Sequence, residues 1–270
     1  MITDNIHLHS EEDFKEEAVL PHSKNLLIHF ESLGSTNTFA KTLTDQLINR
    51  DLTVILADEQ TTGRGRMERK WYSKPGKSLT FTIIKSFSHE APITCLPLLT
   101  ALSLSEAFEK YTSLKKIDIK WPNDLLIEDK KVAGILIENK ITSLNQILYI
   151  GVGININQEN FPEEISSTAC NLQTHSQIRI NRLDLLSEFL IHLTHNIKRL
   201  NSYETQNIFS DYSKRSSYVK GKQISYYEND KEYFGTTDGL DDNGALFILD
   251  ENKKRKPLII SEIHTVRNQL

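Results

Sequence analysis

Five consecutive residues, Lys120-Trp121-Pro122-Asn123-Asp124, put a cation, an aromatic plate, a rigid ring, a carboxamide and a carboxylate at the end of an apolar run. A second lysine, Lys131, returns toward them across a tight hairpin in Asp129-Lys130-Lys131-Val132-Ala133-Gly134-Ile135. These groups suit a phosphate ester bound with a divalent ion. The lysines answer phosphate charge, and Asn123 and Asp124 offer the hard oxygens that Mg2+ takes alongside water and phosphate. The plainer explanation of Asn123-Asp124 is a turn. A second candidate is the loop Asp58–Trp71, which contains Gly63-Arg64-Gly65-Arg66. Its glycines let backbone approach a ligand closely, and its alternate arginines can fork onto phosphate or carboxylate oxygens. Composition alone fits a solvated basic loop as well.

Other segments are weaker signals. Ser35-Thr36-Asn37 offers two hydroxyls, an amide and free N–H groups where a strand gives way to a helix, although a plain helix N-cap accounts for it too. Gly151-Val152-Gly153-Ile154-Asn155-Ile156-Asn157 ends a strand with small residues and amides, fit to line a pocket or to form a bulge. The arginine loop is no dinucleotide fingerprint, because Glu68 stands where the third glycine belongs and a strand follows. Pro75-Gly76-Lys77-Ser78 imitates the end of a P-loop, but Trp71 replaces the upstream glycine, so it reads as a turn entering Leu79. His192 and His195 share a helix face with no third ligand in view and read as solvated.

The elements that must position these groups follow from periodicity. Leu26–Glu31, Thr53–Ala57, Leu79–Ile84, Ile117–Lys120, Leu125–Ile127, Val132–Glu138 and Ile147–Ile156 read as strands, with Asp129-Lys130 turning between two of them. Helices are expected after Ser35, with Phe39, Ala40, Leu43, Leu47 and Ile48 at helical spacing, from about Cys95 to Tyr111, and over Leu183–Leu200. Residues 1–24 read as a polar tail with room for one short helix carrying Phe14 and Ala18. Beyond Ser213 short strands separated by polar turns read as a small all-β barrel. The fold class is therefore α+β: a mixed or antiparallel sheet with helices, then a small β module. The divisions are 1–24, 25–213 and 214–270.

The 270 residues carry a formal net charge of −4, which argues against a dedicated nucleic-acid binder. Cys95 and Cys170 are far apart without metal-ligand spacing and read as reduced packing residues. No apolar run is long enough to span a bilayer and no secretory signal is evident, so the expectation is a cytoplasmic protein without membrane contact.

Taken in order, Ser35-Thr36-Asn37, Gln60…Gly63-Arg64-Gly65-Arg66…Lys70-Trp71, Lys120–Asp124, Lys131-Val132-Ala133-Gly134 and Gly151–Asn155 closely resemble the biotin–protein ligases. The resemblance extends over roughly 26–270. It implies a class II synthetase-like catalytic domain followed by an SH3-like β-barrel. It also implies a two-step reaction: biotin and ATP form biotinyl-5′-AMP, and an acceptor lysine then takes the biotin. Carried over by motif, Ser35, Thr36, Asn37 and Gln60 contact the biotin head group or its neighbourhood, with Gly134 and Gly153 beside it. Arg64, Gly65 and Arg66 form the loop closing over biotin and adenylate. Lys131 reaches the biotin carboxylate and α-phosphate. Lys131, Arg66 and Asp124 are the catalytic candidates. Arg64, Arg66, Trp71, Asn123, Lys131 and Asn155 stand on the ATP side, and Asp124 with Asn155 for Mg2+. The implied partner is a biotin carboxyl carrier protein, such as the acetyl-CoA carboxylase subunit or another carboxylase carrier domain. Homodimerisation is a habit of relatives that nothing in the sequence fixes.

Two departures stand out. Some relatives carry an N-terminal winged helix-turn-helix for which this chain lacks room, so no operator binding is expected. Met67-Glu68 also replaces an Arg-Gly pair, putting a carboxylate beside an anion site. The rival readings are a lipoate or octanoate transferase, which shares a related fold, and a non-catalytic biotin sensor or regulator.

Overall fold

The computed structural model describes residues 14–19, 26–44, 52–113, 117–202, 204–228, 231–258 and 263–265. In chain order come β1 (Phe14–Val19), β2 (Leu26–Leu33), α1 (Thr36–Thr42), β3 (Thr53–Gln60), β4 (Ser78–Phe87), α2 (Leu96–Phe108), β5 (Ile117–Lys120), β6 (Asp124–Ile127), β7 (Lys130–Ile141), β8 (Gln146–Asn155) and α3 (Glu163–Ser166). Then follow α4 (Arg182–Asn201), α5 (Thr205–Lys214), β9 (Lys220–Glu228), β10 (Lys231–Leu240), β11 (Leu246–Asp250), β12 (Arg255–Leu258) and β13 (Ile263–Thr265). Two compact units result, Met1–Ala91 with Lys130–Arg182, and Pro92–Asp129 with Leu183–Leu270.

The first unit is built on strands in the order β1-β2-β3-β4-β8-β7. β2 and β3 run parallel, joined through α1, and the other neighbours are antiparallel. Alternation along each strand divides the sheet into two faces. On one face Leu26, Ile28 and Phe30 of β2, Ile55, Ile84, Ile147 and Tyr149 form a core with Ala40 of α1 and Leu43 at its C-cap. That core holds α1 on the sheet, because fully burying each such aliphatic side chain contributes roughly 1.5–3 kcal/mol. The helix begins at Ser35, whose hydroxyl accepts the Thr38 N–H at 3.5 Å. Leu47 and Ile48 of the expected helix fall outside the described residues.

In the second unit α2 packs on α5, and β5 pairs with β6. The C-terminal strands form an antiparallel sheet in the order β12-β11-β10-β9-β13. Among the described residues this sheet is open, so the closure of the expected small barrel is not shown. Both edges discourage further pairing: β12 contains Pro257, which has no N–H to give, and β13 is three residues long.

Two readings are corrected and one element was missed. Residues 14–19, expected as tail or short helix, form β1 against β2, and main-chain pairing needs no apolar pattern. The turn between β6 and β7 is Glu128-Asp129, one residue earlier than expected, both with positive φ (52° and 61°) as a two-residue type I′ turn requires. Helix α5 went unread, although Ile208, Phe209 and Tyr212 bury one side of it. Neither cysteine forms a disulfide, and burial pushes the Cys95 thiol up to about 12.

Candidate active site

The sheet face that carries α1 changes character beyond the helix N-terminus. Along β4, Ile84 gives way to Thr82, Thr80 and Ser78, all fully buried. Register places Gly151, Gly153 and Asn155 of β8 opposite them, and Leu136 and Gly134 of β7 beyond. The floor thus has two rows, Leu136–Gly151–Thr82 and Gly134–Gly153–Thr80, with the Asn155–Ser78 pair next. Hydroxyls and bare backbone replace hydrocarbon there.

Asn37, in the first turn of α1, lies over the first row. A Cβ on Gly151 would come within 2.4 Å of Asn37 Oδ1, so only glycine leaves room for this amide. Asn37 Nδ2 donates to Glu138 Oε2 at 2.9 Å and to Leu136 O at 3.4 Å. Thr82 Oγ1 lies 2.5 Å from Asn37 Oδ1 and 2.8 Å from Thr36 Oγ1. Gln60 Oε1, at the end of β3, accepts the Thr36 N–H at 2.8 Å and lies 3.1 Å from its hydroxyl. Lys41 Nζ donates to Glu138 Oε1 at 2.6 Å. Burial pulls the Glu138 pKa up, but the hydrogen bonds from Lys41 and Asn37, with the Lys41 and Arg64 charges, outweigh it and hold the carboxyl below its ordinary value.

Trp71 lies over the second row. A Cβ on Gly153 would stand 2.4 Å from Trp71 Cε2, and one on Gly134 would stand 2.8 Å from both Cε and Nζ of Lys131. The Lys131 ammonium sits 5.8 Å from the Trp71 ring centroid, within cation–π range. Trp71 Nε1 is buried with no hydrogen-bond partner among the described residues. The main chain of Lys131 is fixed by Thr168 O and the Cys170 N–H, and Asn155 Nδ2 reaches Lys131 O at 3.5 Å.

The arginine loop folds as a hairpin between these groups. Trp71 N–H donates to Gly63 O at 2.9 Å and Gly65 N–H to Arg69 O at 2.7 Å. Its tip is a type I′-like turn in which Met67 and Glu68 both have positive φ (53° and 55°). Arg64 Nη2 donates to Thr38 Oγ1 at 3.0 Å, and Nη1 lies 3.6 Å from Glu68 Oε2. Glu68 therefore faces an arginine of its own loop. Arg66 is half-buried on the same hairpin.

Ser35, Thr36, Asn37, Gln60, Arg64, Gly65, Arg66, Trp71, Lys131, Gly134, Gly153 and Asn155 all belong to the first unit. Asn123 and Asp124 belong to the second, in the turn closing the β5–β6 hairpin, where Lys120 pairs with Asp124. Trp121 of that turn is a buried anchor: it is 3% exposed and its Nε1 donates to Gly244 O at 3.0 Å. His192 Nδ1 lies 3.5 Å from Glu106, and no metal-holding group of His, Cys, Asp or Glu occurs among the described residues.

Sequence reasoning passed over Thr82 and Glu138 as site residues, and named Gly151 only within a segment fit to line a pocket. The alternation of Thr80 and Thr82 through an apolar strand was the available signal for the first. Nothing local marks Glu138, which matters only because β7 brings it to α1.

Residues 29–155 match the Biotin/lipoate A/B protein ligase family. The chain is 31% identical over 245 residues to the bifunctional ligase/repressor BirA of Bacillus subtilis, covering 88% of this chain and 73% of that protein. It is 26% identical over 218 residues to the biotin–[acetyl-CoA-carboxylase] ligase of Mycobacterium tuberculosis, covering 79% of each. Among solved structures, the biotin protein ligase from Aquifex aeolicus in complex with biotin and ATP superposes with a TM-score of 0.73 at 28% identity, over 88% of this chain and 98% of that one.

Proposed function

The chain belongs to the Biotin/lipoate A/B protein ligase family as a biotin protein ligase, and from that premise we propose that the floor of the first unit holds biotin and presents its carboxylate to ATP. The enzyme activates biotin with ATP to biotinyl-5′-AMP and transfers the biotin to a lysine of a carrier protein. The observation that carries the placement is the meeting of Thr36, Asn37 and Gln60 at one end of a glycine-bearing floor with Trp71 and Lys131 at the other.

Thr36 and Gln60, with Ser35 and Asn37, take the polar head of biotin. Gly134 and Gly153 keep the floor low enough for its rings. Lys131 meets the carboxylate and the α-phosphate. In the first step a carboxylate oxygen attacks the α-phosphorus and pyrophosphate leaves. In the second, the acceptor amine attacks the mixed anhydride carbonyl, AMP leaves and the amine proton is lost. The first step crowds negative charge at the α-phosphorus and the second builds it on the carbonyl oxygen and the departing phosphate, and a fixed cation at that place lowers both barriers electrostatically. Neither needs a protein nucleophile. Arg64, Gly65 and Arg66 close over the adenylate and exclude water, which would otherwise hydrolyse the anhydride. Trp71 walls the pocket, and Asn123 and Asn155 serve the ATP side.

Mg2+ is the ion proposed to attend ATP, with the Asp124 carboxylate of the second unit and the Asn155 carboxamide of the first as candidate donors, oxygen types that suit an ion keeping its waters and phosphate oxygens. When bound, the ion draws charge from the phosphates.

The acceptor fits a biotin carboxyl carrier domain of a carboxylase. The net charge of −4 supports a protein partner over nucleic acid. No helix among the described residues is long and apolar enough to cross a membrane; a cytoplasmic setting is part of the proposal. The functional division proposed is 25–213 for catalysis and 214–270 for an SH3-like module, with homodimerisation as an association to test by sedimentation. The deciding experiment is biotin- and ATP-dependent pyrophosphate release with and without an acceptor domain. Release together with a biotinylated acceptor is expected. Release with lipoate in place of biotin would move the assignment to a lipoyl-type transferase.

A further inference from the structure

We propose that Thr82 and Glu138 are positioning residues which fix the direction of the hydrogen bonds at Thr36, making that hydroxyl an acceptor for one N–H of the biotin ureido ring. The inference rests on the ligase reading and extends it to residues that touch no substrate.

Proton bookkeeping along the chain of contacts leaves one direction. The Lys41 ammonium has only donors, and the Glu138 carboxylate only acceptors. Both groups near Asn37 Nδ2, Glu138 Oε2 and Leu136 O, are acceptors as well, so the amide must turn its NH2 toward them. Asn37 Oδ1 then faces Thr82, and since a carbonyl oxygen cannot donate, Thr82 gives its single proton across the 2.5 Å contact. The 2.8 Å contact between Thr82 and Thr36 must then be bridged by the Thr36 proton. Gln60 Oε1, oriented by the Thr36 N–H, also accepts and has no proton to offer there. The one proton of Thr36 is therefore committed to the protein, shared between Thr82 and Gln60, and only lone pairs remain for a ligand.

A cyclic urea has two N–H donors flanking a carbonyl acceptor, so an acceptor held in one sense is complementary to an N–H. Thr36, Asn37 and Thr82 are all buried, with Thr82 fully so, and water is poorly placed to scramble the pattern. The fixed charge of Glu138 anchors one end. Gly151 supplies the space in which the amide lies.

The test is calorimetric binding of biotin and of each N-methylated biotin to wild type, Thr82→Ser, Thr82→Val and Glu138→Ala. Wild type is expected to disfavour one N-methyl isomer by roughly tenfold, about what a single hydrogen bond is worth. Thr82→Ser keeps that ratio. Thr82→Val weakens biotin and shrinks the ratio toward one, because only the longer 3.1 Å contact to Gln60 then holds the Thr36 proton and the hydroxyl can turn it toward a ligand. Glu138→Ala, at a half-exposed position, shrinks it in the same direction even where Thr82→Val folds poorly. Folded Thr82→Val or Glu138→Ala protein that keeps the wild-type ratio overturns the proposal while leaving the ligase reading intact. A folded wild type that binds no biotin ends both.

Discussion

The protein has two tryptophans, and each closes a conspicuous motif. Trp121 is buried and its indole N–H is used, donating to Gly244 O at 3.0 Å, beside a glycine hemmed in by Leu98 and Phe209. Trp71 lies on Gly153 with Lys131 near its face, and its indole N–H has no partner among the described residues. A buried donor left unsatisfied costs about 1–3 kcal/mol, so the two rings stand on opposite sides of the energy balance. Trp121 stabilises the second unit. Trp71 leaves its indole N–H unpaired at some cost to the first, which fits the ligand-wall role proposed for it. Aromatic residues in equally chemical-looking sequence can thus be fully satisfied in one place and left with a spare donor in the other.

The largest effect expected is on stability. Trp121→Ala should lower unfolding free energy by about 3–5 kcal/mol, the usual cost of emptying a buried aromatic site, measured by urea denaturation. A loss below 1 kcal/mol would break the contrast.

Lys131→Ala should leave the melting temperature nearly unchanged and slow biotin-dependent pyrophosphate release by roughly 10²–10³, the scale of losing one fixed electrostatic stabiliser. Wild-type rates in that variant would remove Lys131 from catalysis. Trp71→Ala should cost little stability yet raise KM for biotin by roughly tenfold, on the scale of one aromatic contact. A large loss of stability there would make the two tryptophans alike.

Smaller effects sharpen the picture of the first unit. Glu138 has a folded pKa below its ordinary value, so its contribution is present above the unfolded pKa of about 4.3 and is lost as pH falls through the folded one. Thermal stability of wild type should fall across that acid range, and Glu138→Gln should flatten this limb; parallel curves would remove Glu138 as the cause. The least effect belongs to Glu68. Its ion pair with Arg64 is long and its side chain 83% exposed, so the pair contributes little. Glu68→Gly relieves the positive φ and should stabilise the protein by at most about 1 kcal/mol, read from the shift in melting temperature.

The main strands and the helices at 96 and 182 follow from apolar periodicity, which is local and survives in any tertiary setting. So do the chemical groups themselves. Ser35-Thr36-Asn37, Gly63–Arg66, Trp71 and Lys131 are legible because reactive polar residues stand out against apolar runs. Strand β1 was invisible because Phe14–Val19 is charged and pairs through its backbone. Helix α5 was hidden by a polar stretch with only Ile208, Phe209 and Tyr212 to mark it.

The sequence by itself determined most of the elements, β1 and α5 excepted, and which groups are available for chemistry. Tertiary structure decided their pairing: that Thr82 lies opposite Gly151, that Asn37 fits above that glycine, and that Glu138 comes to α1 from more than a hundred residues away. Register and packing join residues distant in sequence, and no local periodicity encodes which oxygen will face which proton.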